Sequence, residues 1–322
     1  MTATEPDERG DARRDPAVAS VTVVIANWET ADYTIKSVRA LIADGVPPGR
    51  VVVVDNGSRD GSYERFRQEI AECVLVRIEE NIGFARASNL GARALPGDSY
   101  LFVNSDAFLN RSGTVRRLLA AFDDPRVGIA VPRILNIDLS LQPNVVPAHT
   151  PAVALVRASG LSRFIPNRWQ PSWSTHWDHA SSREIHAADG AVVLVRGETW
   201  HELGGFDERM RMYVEDLDLC LRARRAGWKI WFVHEAEFVH VGRGATATTW
   251  DSPRRAELIG LAEGDWIRRT MTPRAARATL AFMSAGLVGR ILVFGALRNR
   301  DATDALRASL RGYRGSARPP TG

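Results

Sequence analysis

Cysteine is nearly absent from this sequence: Cys73 and Cys220 are the only two in 322 residues. That excludes a disulfide scaffold and a zinc cluster built on cysteines, and it suits a reducing compartment. Lysine is as rare. Of 42 basic residues only Lys36 and Lys229 are lysine, a skew that fits a GC-rich coding bias better than any chemistry. The opening MTATEPDERGDARRDP has no apolar segment, so it is not expected to act as a secretory signal. No G-x-G-x-x-G follows the first apolar run, and no G-x-x-x-x-G-K-[ST] occurs. A dehydrogenase-type dinucleotide turn and a P-loop are therefore excluded.

What is present is an ordinary globular composition, 45% hydrophobic and 25% charged with a net charge of +4, which excludes disorder over the whole chain. The charge is unevenly placed. Residues 251–322 carry 13 arginines against 6 acidic residues, while residues 1–250 are net negative. Such a tail suits an anionic surface. It lacks the interleaved aromatics of a base-stacking platform and any recognisable DNA-binding motif, so no nucleic-acid partner is expected.

The chain reads as a disordered leader over 1–19 followed by alternating strands and helices. Apolar, β-branched runs predict strands at 21–28, from 50 into a turn, at 73–78 and at 99–109. Helices are predicted over 31–44, near 62–72 and over 84–95. Residues 136–187, with five prolines, read as irregular. Order resumes with a strand at 191–195, a short helix and turn through ETWHELGGFDE, and an amphipathic helix over 215–227 closed by Gly227. One or two strands follow over 228–242. This alternation predicts an α/β fold with a mainly parallel, covered sheet, in which ligands gather at the carboxyl ends of strands.

Three of those strand ends are polar: Ala26-Asn27-Trp28-Glu29, Asp55-Asn56-Gly57-Ser58 and Asn104-Ser105-Asp106. Asp55 is placed to accept hydrogen bonds from a ribose or base. Without a glycine loop a bound diphosphate needs another neutraliser, and a divalent metal on the hard oxygen of Asp106 would serve. Taken singly, Asp55 could be an Asx turn and Asp106 a helix cap. Asn81 and Gly83 could be ordinary loop. Glu215, Asp216 and Asp218 open a predicted helix, where carboxylates also act as caps. His240 sits in a strand-like run and could be structural.

The ordered set VVIANWET, VVVVDNGSRDGS, ENIGFARASNLGARA, YLFVNSDA, GGFDERMRMYVEDLDLCLRARRAGW and FVHVG resembles the family-2 glycosyltransferases of GT-A fold, and within them the bacterial rhamnosyltransferase-like branch. The resemblance covers about residues 20–245, leaving 246–322 as a basic helical extension. It implies that Ala26, Glu29 and Asp55 touch the nucleotide base or ribose. Asn81, Gly83 and Arg86 would line the nucleotide and diphosphate site. Asn104-Ser105-Asp106 stands where the family carries its DXD motif, with Asp106 binding Mg²⁺ or Mn²⁺ and His240 a further metal or diphosphate ligand. Asp216, of the Glu215-Asp216 pair, would be the catalytic base. Gly204-Gly205-Phe206-Asp207 would shape the floor near donor sugar and acceptor. The DXD position keeps one carboxylate, which makes His240 more important. The implied activity is inverting transfer of a sugar, rhamnose from dTDP-rhamnose, from a nucleotide-sugar donor to a glycan or lipid-linked acceptor. The alternatives are a sugar nucleotidyltransferase, for which the first strand lacks the basic glycine loop, and a catalytically inactive family member.

On the acceptor side, Trp169, Trp173 and Trp177 recur at spacing four beside His176 and His179, as an acceptor lid or as pins holding a loop to the body. In the tail, Ala278–Leu297 has one charge, Arg290, in twenty residues. The expected placement is a helix on the inner membrane leaflet, peripheral to an otherwise cytoplasmic protein. A helical cap on the domain and a true span are the alternatives.

Overall fold

The computed structural model describes residues 15–166, 169, 177–210, 213–242 and 252–316. A nine-stranded sheet forms the centre. In chain order its strands are β1 (Val21–Asn27), β2 (Val51–Asn56), β3 (Val74–Ile78), β4 (Ser99–Asn104), β5 (Ala107–Leu109), β6 (Val127–Leu135), β8 (Arg183–Ile185), β10 (Val192–Arg196) and β11 (Lys229–His240). A two-stranded ribbon, β7 (Val145–Val146) with β9 (Ala187–Ala188), stands apart. The order across the sheet is β3-β2-β1-β4-β10-β6-β11-β5, with β8 also paired to β11. The block β3-β2-β1-β4 is parallel, as expected for strand–helix alternation. The later half departs from that expectation, because β10 runs antiparallel to both β4 and β6.

Side chains on these strands alternate between two cores, as the pleat requires. Leu101 and Val103 of β4, with Val192 and Leu194 of β10, face one side. There they meet Ile35, Val38 and Leu41 of α2 (Ala31–Ala43), Phe66 of α3 (Ser62–Glu69) and Leu118 of α5 (Thr114–Leu119). Tyr100, Phe102, Val193 and Val195 face the other side, against α4 (Phe84–Ala94), α7 (Gly197–Leu203) and α8 (Glu215–Arg225).

Several sequence boundaries shift. Residues 16–20, taken as part of the leader, form a one-turn helix α1 capped by Asp15, and its Val18 is buried. Residues 1–14 lie outside the described residues. The single strand expected over 99–109 is two strands, broken at Ser105-Asp106, because β5 leaves β4 to pair with β11. Residues 136–187 are less irregular than their prolines suggest. They hold β7, β8, β9 and a helix α6 (Pro151–Ala158) that starts on a proline and is capped by Thr150.

The C-terminal residues form three helices, α9 (Ser252–Thr270), α10 (Pro273–Ala296) and α11 (Arg300–Gly315). Trp266, Ile267, Ala276, Leu280, Leu287 and Tyr313 join the core beneath α8. The apolar α10 is thus half cap, half exposed face. Leu280, Gly286 and Leu287 are buried, whereas Val288, Leu292, Val293 and Leu297 are exposed.

One buried junction ties this extension to α8. Asp218 Oδ2 accepts from Arg222 Nε at 2.6 Å and its Oδ1 accepts from Trp266 Nε1 at 3.2 Å. Asp218→Ala would leave the buried Trp266 indole N–H without its acceptor and take the carboxylate from Arg222, whose guanidinium keeps Leu203 O and Gly205 O. We expect a loss of about 1–3 kcal/mol, read as a fall in Tm of a few degrees. An unchanged Tm would show that the junction is not needed.

Candidate functional site

The polar ends of β1, β2 and β4 open on one side of the sheet, into a cavity of about 480 Å³. Asn27 organises that edge. Its Nδ2 donates to Asp55 Oδ1 and to Ser58 Oγ, both at 3.1 Å. Its Oδ1 accepts from the hydroxyls of Thr30 (3.0 Å) and Thr34 (2.8 Å), and Thr30 Oγ1 in turn accepts from the Ser105 hydroxyl at 2.8 Å. Three strand ends are thereby held in one network. Asp55 is 1% exposed and its second oxygen, Oδ2, has no hydrogen-bond partner. Buried carboxylate oxygens are rarely left so, and this one is a vacant acceptor beneath the β2 edge.

The next wall is the 80–83 turn. Asn56 Nδ2 donates to Asn81 Oδ1 at 3.2 Å, and Asn56 Oδ1 accepts from Ile82 N at 2.9 Å. Gly57 has φ +79°, and a Cβ there would lie 2.5 Å from Asn81 N, so only glycine lets β2 and this turn approach. Opposite, Asn89 of α4 clamps Phe206 through both backbone atoms, each at 2.9 Å, and Phe206 forms part of the cavity floor.

Strand register explains the meeting of Asp106 and His240. His240 pairs with Ala107 across β11 and β5, and Val241 N donates to Asp106 O at 3.0 Å. His240 Nε2 stands 3.2 Å from Asp106 Oδ1. Its Nδ1 is 2.7 Å from Gln142 Oε1. Gln142 Nε2 donates to Asn136 Oδ1 at 2.9 Å and to His240 O at 3.3 Å, which fixes the amide orientation. Nδ1 is therefore the donor to Gln142, and Nε2 faces the Asp106 carboxylate with Asn104 Nδ2 3.5 Å away. A proton on Nε2 or a cation between the two atoms completes that contact. A hard divalent cation satisfies that arrangement, with a second-layer amide orienting the imidazole as metal-binding histidines usually have. Among the described residues no three or more histidine, cysteine, aspartate or glutamate side chains are arranged to hold a metal ion. The chain would thus hold such an ion by two side chains, leaving its other positions to ligand oxygens and water.

On the far side three carboxylates gather: Asp189, Glu215 and Asp216. Gly190 N donates to Asp216 Oδ2, and Leu217 N donates to Asp216 Oδ1 at 2.7 Å. A Cβ on Gly190 would lie 2.7 Å from Asp216 Cβ, so glycine is what allows this approach. Burial pushes the Glu215 carboxyl up to about 7, with Asp189 repulsion adding to it. Burial, then Asp189 and Glu215, raise Asp216 well above the ordinary carboxylate range. The helix N-terminus does not offset this, since α8 opens on three acids in one turn.

A group whose folded-state pKa is raised contributes stability below its unfolded value and loses it as pH rises through the folded value. For Glu215 that window runs from about 4.5 to about 7. Glu215→Gln is expected to raise stability at pH 8 by about 1–3 kcal/mol relative to wild type, with little gain at pH 4. Denaturant titrations at the two pH values check it. An equal effect at both would rule out the repulsion.

Of the residues expected at the site, Ala26, Asn81, Asn104, Ser105, Asp106, Glu215, Asp216 and His240 line this cavity. Four stand behind it. Asp55 supports Asn27; Glu29, at φ +55°, gives its N–H to Ser58 Oγ; Gly83 caps α4; and Arg86 Nε donates to Glu208 O at 3.2 Å. Arg86 is drawn off by the backbone of the loop it anchors. Sequence reasoning missed Asn27, Gln142 and Asp189. The Asp-Gly step at 189–190 before an apolar strand was the available signal for the last. Trp177 is core rather than lid, buried and stacked on His179 with ring centroids 4.5 Å apart. Trp169 is exposed, and Trp173 and His176 lie outside the described residues.

A parallel nucleotide-type half-sheet, a carboxylate–imidazole pair at its edge and a carboxylate cluster across the cavity define a GT-A type of protein. The family model described as "Glycosyltransferase like family 2" matches residues 16–258, and the chain belongs to that family. An N-acetylglucosaminyl-diphospho-decaprenol L-rhamnosyltransferase of Mycobacterium tuberculosis is 32% identical over 208 residues, 60% of this chain and 66% of that one. A low-salt glycan biosynthesis hexosyltransferase, Agl10, of Haloferax volcanii is 26% identical over 226 residues, 68% of this chain and 66% of its own length. The chain thus spans just under two thirds of these relatives. Among solved structures, the mannosyltransferase PcManGT of Pyrobaculum calidifontis, in complex with GDP-Man and Mn²⁺, superposes with a TM-score of 0.56. The match covers 92% of this chain and 87% of that one at 17% identity, a likeness of fold.

Proposed function

We propose that the protein is an inverting glycosyltransferase that moves a sugar from a nucleoside-diphosphate donor to an acceptor hydroxyl. The donor in this reading is dTDP-rhamnose, and the acceptor a lipid-linked glycan at the inner membrane surface. The observation that carries it is a single cavity with the Asp106–His240 pair at one wall and Asp216 at another. Family membership supports the reaction class, and the Mycobacterium relative supports the sugar and the acceptor class.

In this reading the nucleoside occupies the β1–β2 edge, where Asn56 lines the cavity and keeps one amide N–H and one lone pair to spare, and Asn27 and Asp55 hold that edge in shape from behind. Asp106 and His240 hold Mg²⁺ or Mn²⁺, which supplies neutralising charge to the diphosphate. The acceptor oxygen attacks the anomeric carbon from the face opposite the diphosphate. The bond to the diphosphate oxygen breaks with its electron pair, and Asp216 takes the acceptor's proton. Its pKa, raised by burial and by Asp189 and Glu215, makes the ionised carboxylate a stronger proton acceptor than an ordinary aspartate. One displacement inverts the anomeric configuration.

Calorimetric titration with dTDP, UDP and GDP, each with Mn²⁺ and with EDTA, tests the donor half. The expected result is binding of dTDP that weakens at least about tenfold in EDTA. Binding of none of the three would overturn the proposal.

A further inference from the structure

A second cavity, of about 180 Å³, lies among α6, α9, α10 and α11. Its volume is roughly ten times what one water needs. His149, Arg157 and Glu263 line this cavity and the first one alike, so the two meet at those side chains.

The walls divide by chemistry. At the junction Glu263 takes up two neighbours: His149 Nε2 stands 2.7 Å from its Oε1, and the Tyr313 hydroxyl donates to its Oε2. Burial alone would push this carboxyl up. The His149 contact, the Tyr313 bond and the nearby Arg157 charge outweigh burial and hold it below the usual range. Glu263 is thus a fixed anion that occupies His149 and Tyr313. Arg157 is half-buried, and its guanidinium makes no hydrogen bond or ion pair among the described residues. Arg290 spends one N–H on Gly286 O of its own helix, at 3.3 Å. Two guanidiniums with donors to spare face one small cavity. Away from the junction Val153, Phe282, Met283 and Leu287 form an apolar patch, beside the hydroxyl-bearing Thr150, Thr279 and Ser309. Gly286 brings α10 onto α6 there, a Cβ at that position falling 3.0 Å from Ala158 Cα. Beyond that crossing α10 continues into its exposed apolar half, Val288 to Leu297.

We propose that this second cavity is the acceptor subsite for a long-chain lipid diphosphate: Arg157 and Arg290 hold the diphosphate, and the four apolar side chains receive the first carbons of the chain. The assignment rests on the function proposed above. The glycan end of such an acceptor passes the junction into the first cavity, toward Asp216. The remainder of the chain leaves along the exposed half of α10. Guanidinium forks match phosphate oxygens in pairs, and the apolar lining rewards a hydrocarbon that pyrophosphate alone lacks.

The test titrates the full chain, saturated with dTDP and Mn²⁺, with farnesyl diphosphate, inorganic pyrophosphate and farnesol. Farnesyl diphosphate is expected to bind at least about tenfold more tightly than either other probe. Arg290→Gln and Met283→Trp touch only the second cavity, and each should weaken it by about tenfold. Affinity for dTDP should stay unchanged in both variants. Competition with dTDP, or equal binding by wild type and both variants, would overturn the subsite. Pyrophosphate binding as tightly as farnesyl diphosphate would overturn its lipid half. Failure of dTDP to bind wild type would instead strike the donor reading, and the two failures are told apart by that control.

Discussion

Asp216→Asn is expected to lower kcat by about 10²–10⁴-fold, with binding of the donor nucleotide unchanged. The carboxylate accepts from Gly190 N and Leu217 N, and each of its oxygens keeps a second lone pair for the acceptor's proton. Asparagine preserves shape but not basicity. It also turns one NH₂ on a backbone N–H while removing a charge disfavoured by burial, Asp189 and Glu215, so the two stability effects oppose and the kinetic loss is the readout. Steady-state rates at saturating donor, with nucleotide titration as control, read turnover and binding separately. Turnover within about tenfold of wild type would remove Asp216 as the base. The raised pKa of Asp216 adds a pH signature, because the group must be deprotonated to act. Wild-type kcat should fall as pH is lowered, over a range above that of an ordinary carboxylate, and the variant's residual rate should lose that fall.

The second large effect is expected at Asp106. Its Oδ1 faces His240 Nε2, and Gln142 holds the imidazole from behind. Loss of an outer-layer partner of a metal ligand typically costs 10–100-fold in metal affinity, so removing the carboxylate itself should cost at least about 100-fold. Asp106→Ala should then bind dTDP with the same affinity in Mn²⁺ and in EDTA, at the weaker of the two wild-type values. Gln142→Ala should show a partial loss, about tenfold. A variant at Asp106 that keeps the full metal dependence would exclude this pair as the ion's holder.

Much of this arrangement was legible in the residues. Strand ends are readable because apolar, β-branched runs stop abruptly at Asn27, Asn56 and Asn104, and parallel strands put those stops on one edge. The first half of the sheet follows from that alone. Asp106 and His240 were readable as a pair only through the family pattern, since 134 positions separate them. Their contact depends on β5 and β11 pairing antiparallel, which no local signal encodes. Arg86 shows the opposite limit. Its position in the motif suggests a phosphate ligand, yet its Nε donates to the backbone carbonyl of Glu208 instead. The tail left its placement open for a physical reason. A twenty-residue apolar run serves a bilayer and a protein core alike, and α10 divides between burial and exposure near Gly286.

The insertion of β10 between β4 and β6 also bears on how the chain reaches this state. β4 pairs with β1 across about 75 intervening residues, but β10 must find it across about 90 more, with α6 and the 161–187 passage in the closed loop. Loop-closure entropy grows only logarithmically, so the cost in stability is modest, while the search is slow. The β3-β2-β1-β4 block can assemble from nearby segments and leave one edge of β4 open until β10 arrives. Asp189 and Gly190 directly precede β10, and Asp216 is seated by Gly190. Contact order thus favours early assembly of the β1–β2–β4 edge and late completion of the carboxylate cluster, when the open edge closes.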